Sequence, residues 1–168
     1  MYRLVNVPGG TDEEQAVSRL EVSCERQVGA PAATVYGYIA DMAEDHPRFL
    51  PEAFSGFEVE SGGVGAGTVI RYKVTVGGRT RAYRSVVDEP EPGRVLTESD
   101  TNSSTVTTWR VSPSGPGCQV RISTTWEGAG GLGGFFERLF GPRVMQRIYA
   151  DELERLDAHA QERAAAAP

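Results

Sequence analysis

A chain of 168 residues fits one domain, long enough to bury most of its apolar surface without staples. Its two cysteines, Cys24 and Cys118, lie far apart with no Cys-x-x-Cys and no histidine cluster, which argues against a disulfide framework and against a zinc site. A formal charge of −6 is a poor match for nucleic acid, because phosphate binding needs a basic face, and no apolar run approaches the ~18 residues that membrane insertion requires.

The first 17 residues carry Pro8-Gly9-Gly10 and then Asp12, Glu13 and Glu14 without periodicity. They lack the basic and apolar regions of a signal peptide, and read as a flexible arm on a cytoplasmic protein. The domain itself is expected over residues 18–163, followed by a disordered tail at 164–168. Leu20, Val22, Cys24, Arg26 and Val28 alternate with Glu21, Ser23, Glu25 and Gln27, the period of a half-buried strand. Gly29-Ala30-Pro31 ends it, and Val35, Tyr36, Ile39 and Met42 then recur at helical spacing. A second short helical turn is predicted between Asp45 and Leu50, stopped by Pro51.

Phe54, Phe57 and Val59 lead into another strand. Five more follow at close spacing, over 68–76, 79–89, 94–100, 104–112 and 118–128, each separated by Gly, Pro or Asn-Ser turns. Gly77-Gly78 between alternating residues is a strong hairpin signal. From about 141 to 164, Met145, Ile148, Tyr149, Leu153, Leu156 and Ala160 recur at steps of three and four. Arg147, Asp151, Glu152, Glu154, Arg155 and Asp157 are assigned mostly to the other side. Strands in one run with helices at one face predict an α+β domain, in which a curved antiparallel sheet wraps the long terminal helix.

The stretch RQVGAPAATVYGYIADMAEDHPRFLP resembles the opening of the START-like proteins of the SRPBCC superfamily, which includes polyketide cyclase/dehydrase-like proteins, lipid-transfer domains and the birch-pollen-allergen group. GVGAGTVIRYKV and SVVDEPEPGRVL are similar to that family's third and fourth strands and the turn after them. The resemblance covers residues 19 to about 160. It implies a helix-grip fold, in which seven strands, with two short helices after the first, grip the terminal helix around a cavity for an apolar ligand.

Strand parity selects the side chains that face the helix. Charged neighbours on the opposite side point Val120, Ile122, Thr124 and Trp126 inward, and likewise Ile70, Tyr72, Val74 and Val76. Thr105, Thr107, Trp109 and Val111 follow, because that choice leaves Arg110 in water. Two strands stay open: Tyr83, Ser85 and Val87 or Ala82, Arg84 and Val86; Leu96 and Glu98 or Val95 and Thr97. The resulting ligand-binding candidates are Ile70, Tyr72, Val74, Glu98, Thr107, Trp109, Thr124, Trp126, Phe135, Met145 and Tyr149, against the alternative that they fill a solid core.

Arg84, Tyr83 and His46 are the catalytic candidates, able to polarise a carbonyl or move a proton. Their bland readings are solvated or packed residues: Arg84 with Glu98 on the convex face, and His46 in a loop beside Asp45 at the cavity mouth. Asp41 reads as a helix terminator or cap. No phosphate loop, dinucleotide fingerprint or metal-ligand spacing occurs, so neither metal nor cofactor is expected. The first functional reading is binding or transport of a small hydrophobic molecule, such as a polyketide, an isoprenoid or a lipid. The alternative is a cofactor-free polyketide cyclase, aromatase or dehydratase. A protein partner at Phe135, Phe136 and Phe140 is a third reading, and homodimerisation stays open.

Overall fold

The computed structural model describes residues 3–5, 19–127 and 142–166. Its strands are β1 (Arg3–Val5), β2 (Arg19–Val28), β3 (Phe54–Ser61), β4 (Val69–Val76), β5 (Arg79–Glu91), β6 (Val95–Asp100), β7 (Val106–Ser114) and β8 (Gly117–Glu127). Helix α1 (Ala32–Ala40) and a 3-10 turn (His46–Phe49) follow β2, and α2 (Pro142–Ala165) follows β8. Seven strands form one antiparallel sheet in the order β2-β8-β7-β6-β5-β4-β3, with β1 added at the β2 edge. That edge pairing corrects the expectation of a free arm for residues 3–5; the rest of the arm and the end of the tail lie outside the described residues.

Local chemistry explains where the elements begin and end. Pro31 precedes α1, and at its far end the Asp41 carboxylate accepts hydrogen bonds from the Ala43 and Glu44 amides at 3.1 and 3.0 Å. The β4–β5 hairpin turns through Gly77 and Gly78, both at positive φ (56° and 76°), the conformation a two-residue turn of matching twist requires. Register shifts in the β3–β4 and β5–β6 pairs mark bulges, and such insertions bend strands and curl a sheet. At Gly117 a side chain is forbidden by crowding: a Cβ there would lie 2.2 Å from the Val28 carbonyl oxygen.

Parity follows the expected pattern wherever charged neighbours decide it. Val120, Ile122, Thr124 and Trp126 are all buried, as are Ile70, Val74, Thr105, Trp109 and Val111. The two open strands resolve through register. Tyr72 pairs with Tyr83 and Val87 with Glu98, which puts Tyr83, Ser85, Val87, Leu96 and Glu98 on the inner face. Arg84 then points outward, where its Nε donates to Glu60 at 2.8 Å. Its expected role inside a pocket is corrected once the register with β4 fixes which side of β5 faces inward.

Helix α2 packs along β2 and the 3-10 turn. Leu153, Leu156 and Ala160 are fully buried, and each large apolar side chain so removed from water contributes roughly 1.5–3 kcal/mol. Asp157 ties the helix to the end of β2, accepting from the Gly29 amide at 3.0 Å. Nearer the C-terminus, His159 Nε2 donates to Asp45 Oδ1 at 2.9 Å, with Arg163 flanking the same carboxylate at 3.8 Å. Asp45 therefore serves α2 and not the adjacent His46.

Candidate functional site

Between the inner face of the sheet and the first half of α2 lies a cavity of about 50 Å3. All the empty space between the lining atoms, open solvent included, comes to about 610 Å3; the smaller figure is the one comparable with the volumes of ligand cavities. It is room for a few waters, whereas ordinary ligand sites run to roughly 300–1,000 Å3. A ring-sized ligand therefore has to displace side chains, and Met145 and Ile148 on α2, with Leu50 after the 3-10 turn, line the space as movable apolar walls.

The fixed walls come from the sheet. Tyr72 and Tyr83, neighbours across β4 and β5, stack with ring centres 5.3 Å apart, and Phe57 stacks on the other side of Tyr72 at 6.2 Å. Trp109 stands between β6 and β8 and donates its indole N–H to Glu98 Oε1 at 2.8 Å. Thr107 and Thr124, directly opposite on β7 and β8, share a hydrogen bond of 2.7 Å, and Thr124 is also bonded to the Tyr149 hydroxyl from the helix. The cross-strand threonines thus hold Tyr149 in one orientation.

Of the expected ligand-binding residues, Tyr72, Val74, Glu98, Thr107, Trp109, Thr124, Met145 and Tyr149 line this one cavity. Ile70 and Trp126 are buried on the same inner face but pack in the apolar core outside the lining. Phe135 lies outside the described residues, as do Phe136 and Phe140. Among the catalytic candidates Tyr83 and His46 line the cavity, and Arg84 does not. His46 is no solvated loop residue: it is 2 % exposed, and its Nδ1 donates to the Ile39 carbonyl at 2.8 Å. In the neutral ring this leaves Nε2 as the acceptor.

Glu152 is the residue that sequence reasoning misses. Its charge assigns it to the solvent side of α2, yet it is 2 % exposed, lines the cavity, and keeps Oε2 without a hydrogen-bond partner among the described residues. Burial, and after it the charges of Glu98 and Asp151, push this carboxyl well above the usual range. Burial also raises the Tyr72 and Tyr149 hydroxyls, with Glu98 adding to both shifts and hydrogen bonds from Ser85 and Thr124 opposing them. The signal lies in the spacing: 145, 149, 152, 156 and 159 run along one helix face. The arrangement offers a buried carboxyl that resists ionisation, an anchored carboxyl and three phenols inside aromatic walls.

A fold of this kind, with an internal cavity lined by aromatic and hydroxyl side chains, is that of a helix-grip protein. Residues 19–161 match the family described as "Polyketide cyclase / dehydrase and lipid transport", and the chain belongs to it. The KanY protein, solved in solution, is 37 % identical over 85 % of this chain and 98 % of its own, with a TM-score of 0.76. The fold is shared with TTHA0849 from Thermus thermophilus (22 % identity, 88 % and 99 % covered, TM-score 0.70). It is shared too with the Zhui aromatase/cyclase from Streptomyces sp. R1128 (21 % identity, 88 % and 97 % covered, TM-score 0.68). No protein of curated function matches the sequence. Membership of this family, and the fold it shares with these structures, make the chain an SRPBCC protein of the hydrophobic-ligand-binding or polyketide-cyclase type. Among the described residues no helix is long and apolar enough to cross a membrane, and no cluster of metal-ligating side chains occurs.

Proposed function

We propose that the protein binds a small hydrophobic molecule, of polyketide, isoprenoid or lipid-like kind, in the cavity between the sheet and α2. The observation that carries this reading is the combination of aromatic walls with convergent polar groups, one of which, Glu152, is buried with an oxygen left unmatched among the described residues. A folded core seldom retains such an atom unless something else meets it. Binding then proceeds by expansion, the ligand displacing Met145 and Ile148 while the sheet wall of Tyr72, Thr107, Trp109 and Thr124 stays in place. Native mass spectrometry of the purified protein tests this directly: a co-purifying apolar molecule is expected. An empty protein that also fails to take up any apolar aromatic or polyene probe in a fluorescence titration would refute it.

The cyclase or dehydratase reading has one observation of its own, the same Glu152 carboxyl. A buried carboxyl that resists ionisation, in a cavity it shares with buried phenols, can give a proton to a carbonyl, the part that cofactor-free ring closure or water loss demands. Turnover of a linear poly-β-ketone, followed by mass spectrometry, separates this from simple binding.

A further inference from the structure

The charge balance of the cavity says more about its ligand than its shape does. Glu98 from β6 and Glu152 from α2 both line it, and no Arg or Lys does so among the described residues. The other titratable groups that face it are His46 and the phenols of Tyr72, Tyr83 and Tyr149. The nearby Arg81 and Asp100 form an ion pair at 3.2 Å, and Asp151, next to Glu152 on the helix, is matched by Arg155 at 2.9 Å. Among the described residues, then, no arginine or lysine is placed to neutralise either carboxyl within the cavity. An ionised, unpartnered carboxylate at 2 % exposure is costly, so the resting form of Glu152 is the acid, with a hydrogen to donate. Glu98 differs, because Trp109 already holds one of its oxygens.

We propose that Glu152 is a specificity-determining residue: its neutral carboxyl donates a hydrogen bond to a carbonyl oxygen of the ligand, so the cavity selects uncharged carbonyl-bearing molecules. Ketones, lactones and quinones are the class it takes. Ionised carboxylates of the fatty-acid kind are rejected, since they would bring a third acidic group into a site with no arginine or lysine among the described residues. This inference rests on the binding function proposed above and adds the chemistry of the ligand's polar end.

Four naphthalene probes of nearly equal size separate the possibilities by isothermal titration calorimetry on the full chain: 2-acetylnaphthalene, 2-ethylnaphthalene, 2-naphthoate and 2-naphthylmethylammonium. At neutral pH the ketone is expected to bind about five- to ten-fold more tightly than the hydrocarbon, the worth of one neutral hydrogen bond. The carboxylate should bind on the order of a hundred-fold more weakly than the ketone, because its charge would be buried without a partner. Glu152→Gln, which keeps a donor, should retain the ketone preference, and Glu152→Leu, which keeps the volume, should lose it while still binding the hydrocarbon. Ketone affinity should fall as the pH rises far enough to ionise Glu152, and Glu152→Gln should show no such fall. Equal affinity for ketone and carboxylate, tightest binding of the ammonium, or an undiminished ketone preference in Glu152→Leu would overturn the inference while leaving the binding function intact. If none of the four binds the parent protein, the inference falls, and the binding function falls with it when native mass spectrometry also finds the protein empty and no polyene probe binds.

Discussion

The two halves of α2 lie against one sheet and follow one spacing, yet they meet it differently. From Leu153 onward the inward positions are Leu153, Leu156 and Ala160, fully buried, and the polar His159 is matched by Asp45. Before that point the inward positions are Met145, Tyr149 and Glu152, around free space and with one oxygen unmatched among the described residues. One half is scaffold and the other is site. The contrast teaches that the distinguishing mark of the site is incomplete satisfaction, of volume and of hydrogen bonding, on an otherwise well-packed face.

The strongest way to break that contrast is to empty both halves. Leu156→Ala at the packed end should cost about 2–5 kcal/mol, since a tight surround collapses little around the missing atoms. Met145→Ala at the cavity end should cost clearly less and should enlarge the space for a probe. Urea denaturation of the two variants measures the difference, and equal losses would mean that the first half of α2 is packed as firmly as the second.

A titration sharpens the comparison further. The Glu152 carboxyl is raised in the folded protein, first by burial and then by Glu98 and Asp151, from an ordinary value of 4.5. Below that value both folded and unfolded chains hold the proton, and the residue's contribution to stability is fully present. As pH climbs the unfolded chain releases its proton first, so stability falls, by up to about 1.4 kcal/mol per pH unit, until the folded value is passed. Glu152→Gln has nothing to release. Its stability should match the parent below the ordinary carboxyl value of 4.5 and exceed it increasingly as the pH rises above that value, until the folded value is passed. A gap that stays constant with pH would show that Glu152 is ionised in the folded protein.

How much of this is readable from the sequence depends on which signals compete. Alternation along β8 and the stripe of α2 are local and repeated, so the element order, the inner sets and most of the lining are legible from Val120, Ile122 and Thr124 or from Tyr149 and Leu156. Glu152 and His159 sit at inward spacings too, but their charge and polarity argue for solvent, and residue type then outweighs position. The parity of β5 is undecidable within the strand because Tyr83 and Arg84 are each compatible with either side; the register Tyr72↔Tyr83 settles it, and register is a tertiary property. His46 reads as exposed for the same reason, since only folding brings the Ile39 carbonyl to its ring nitrogen.

At the packed end, the polar link should matter for stability and not for binding. Asp45→Ala leaves His159 buried without its acceptor, which should cost about 1–3 kcal/mol. Probe affinity should be unchanged, because Asp45 and His159 lie outside the cavity lining. Loss of probe binding in this variant, with the fold intact by circular dichroism, would mean the two halves of α2 are coupled.

The smallest effect on stability is expected where the effect on binding is largest. Thr107→Leu places an apolar branch into the free space between β7 and α2, and removes one of the two hydroxyls bonded to Thr124. Thr124 keeps Tyr149 as a partner, so no buried donor is stranded. Filling space that is already empty and losing one neutral hydrogen bond act in opposite directions, and the net change should lie within about 1 kcal/mol of the parent. A probe, in contrast, loses both the room and the nearby hydroxyl, and its titration signal should disappear. Retained binding would place the ligand elsewhere on the protein. A large loss of stability would show that the wall at Thr107 has no slack, and that the first half of α2 is as much scaffold as the second.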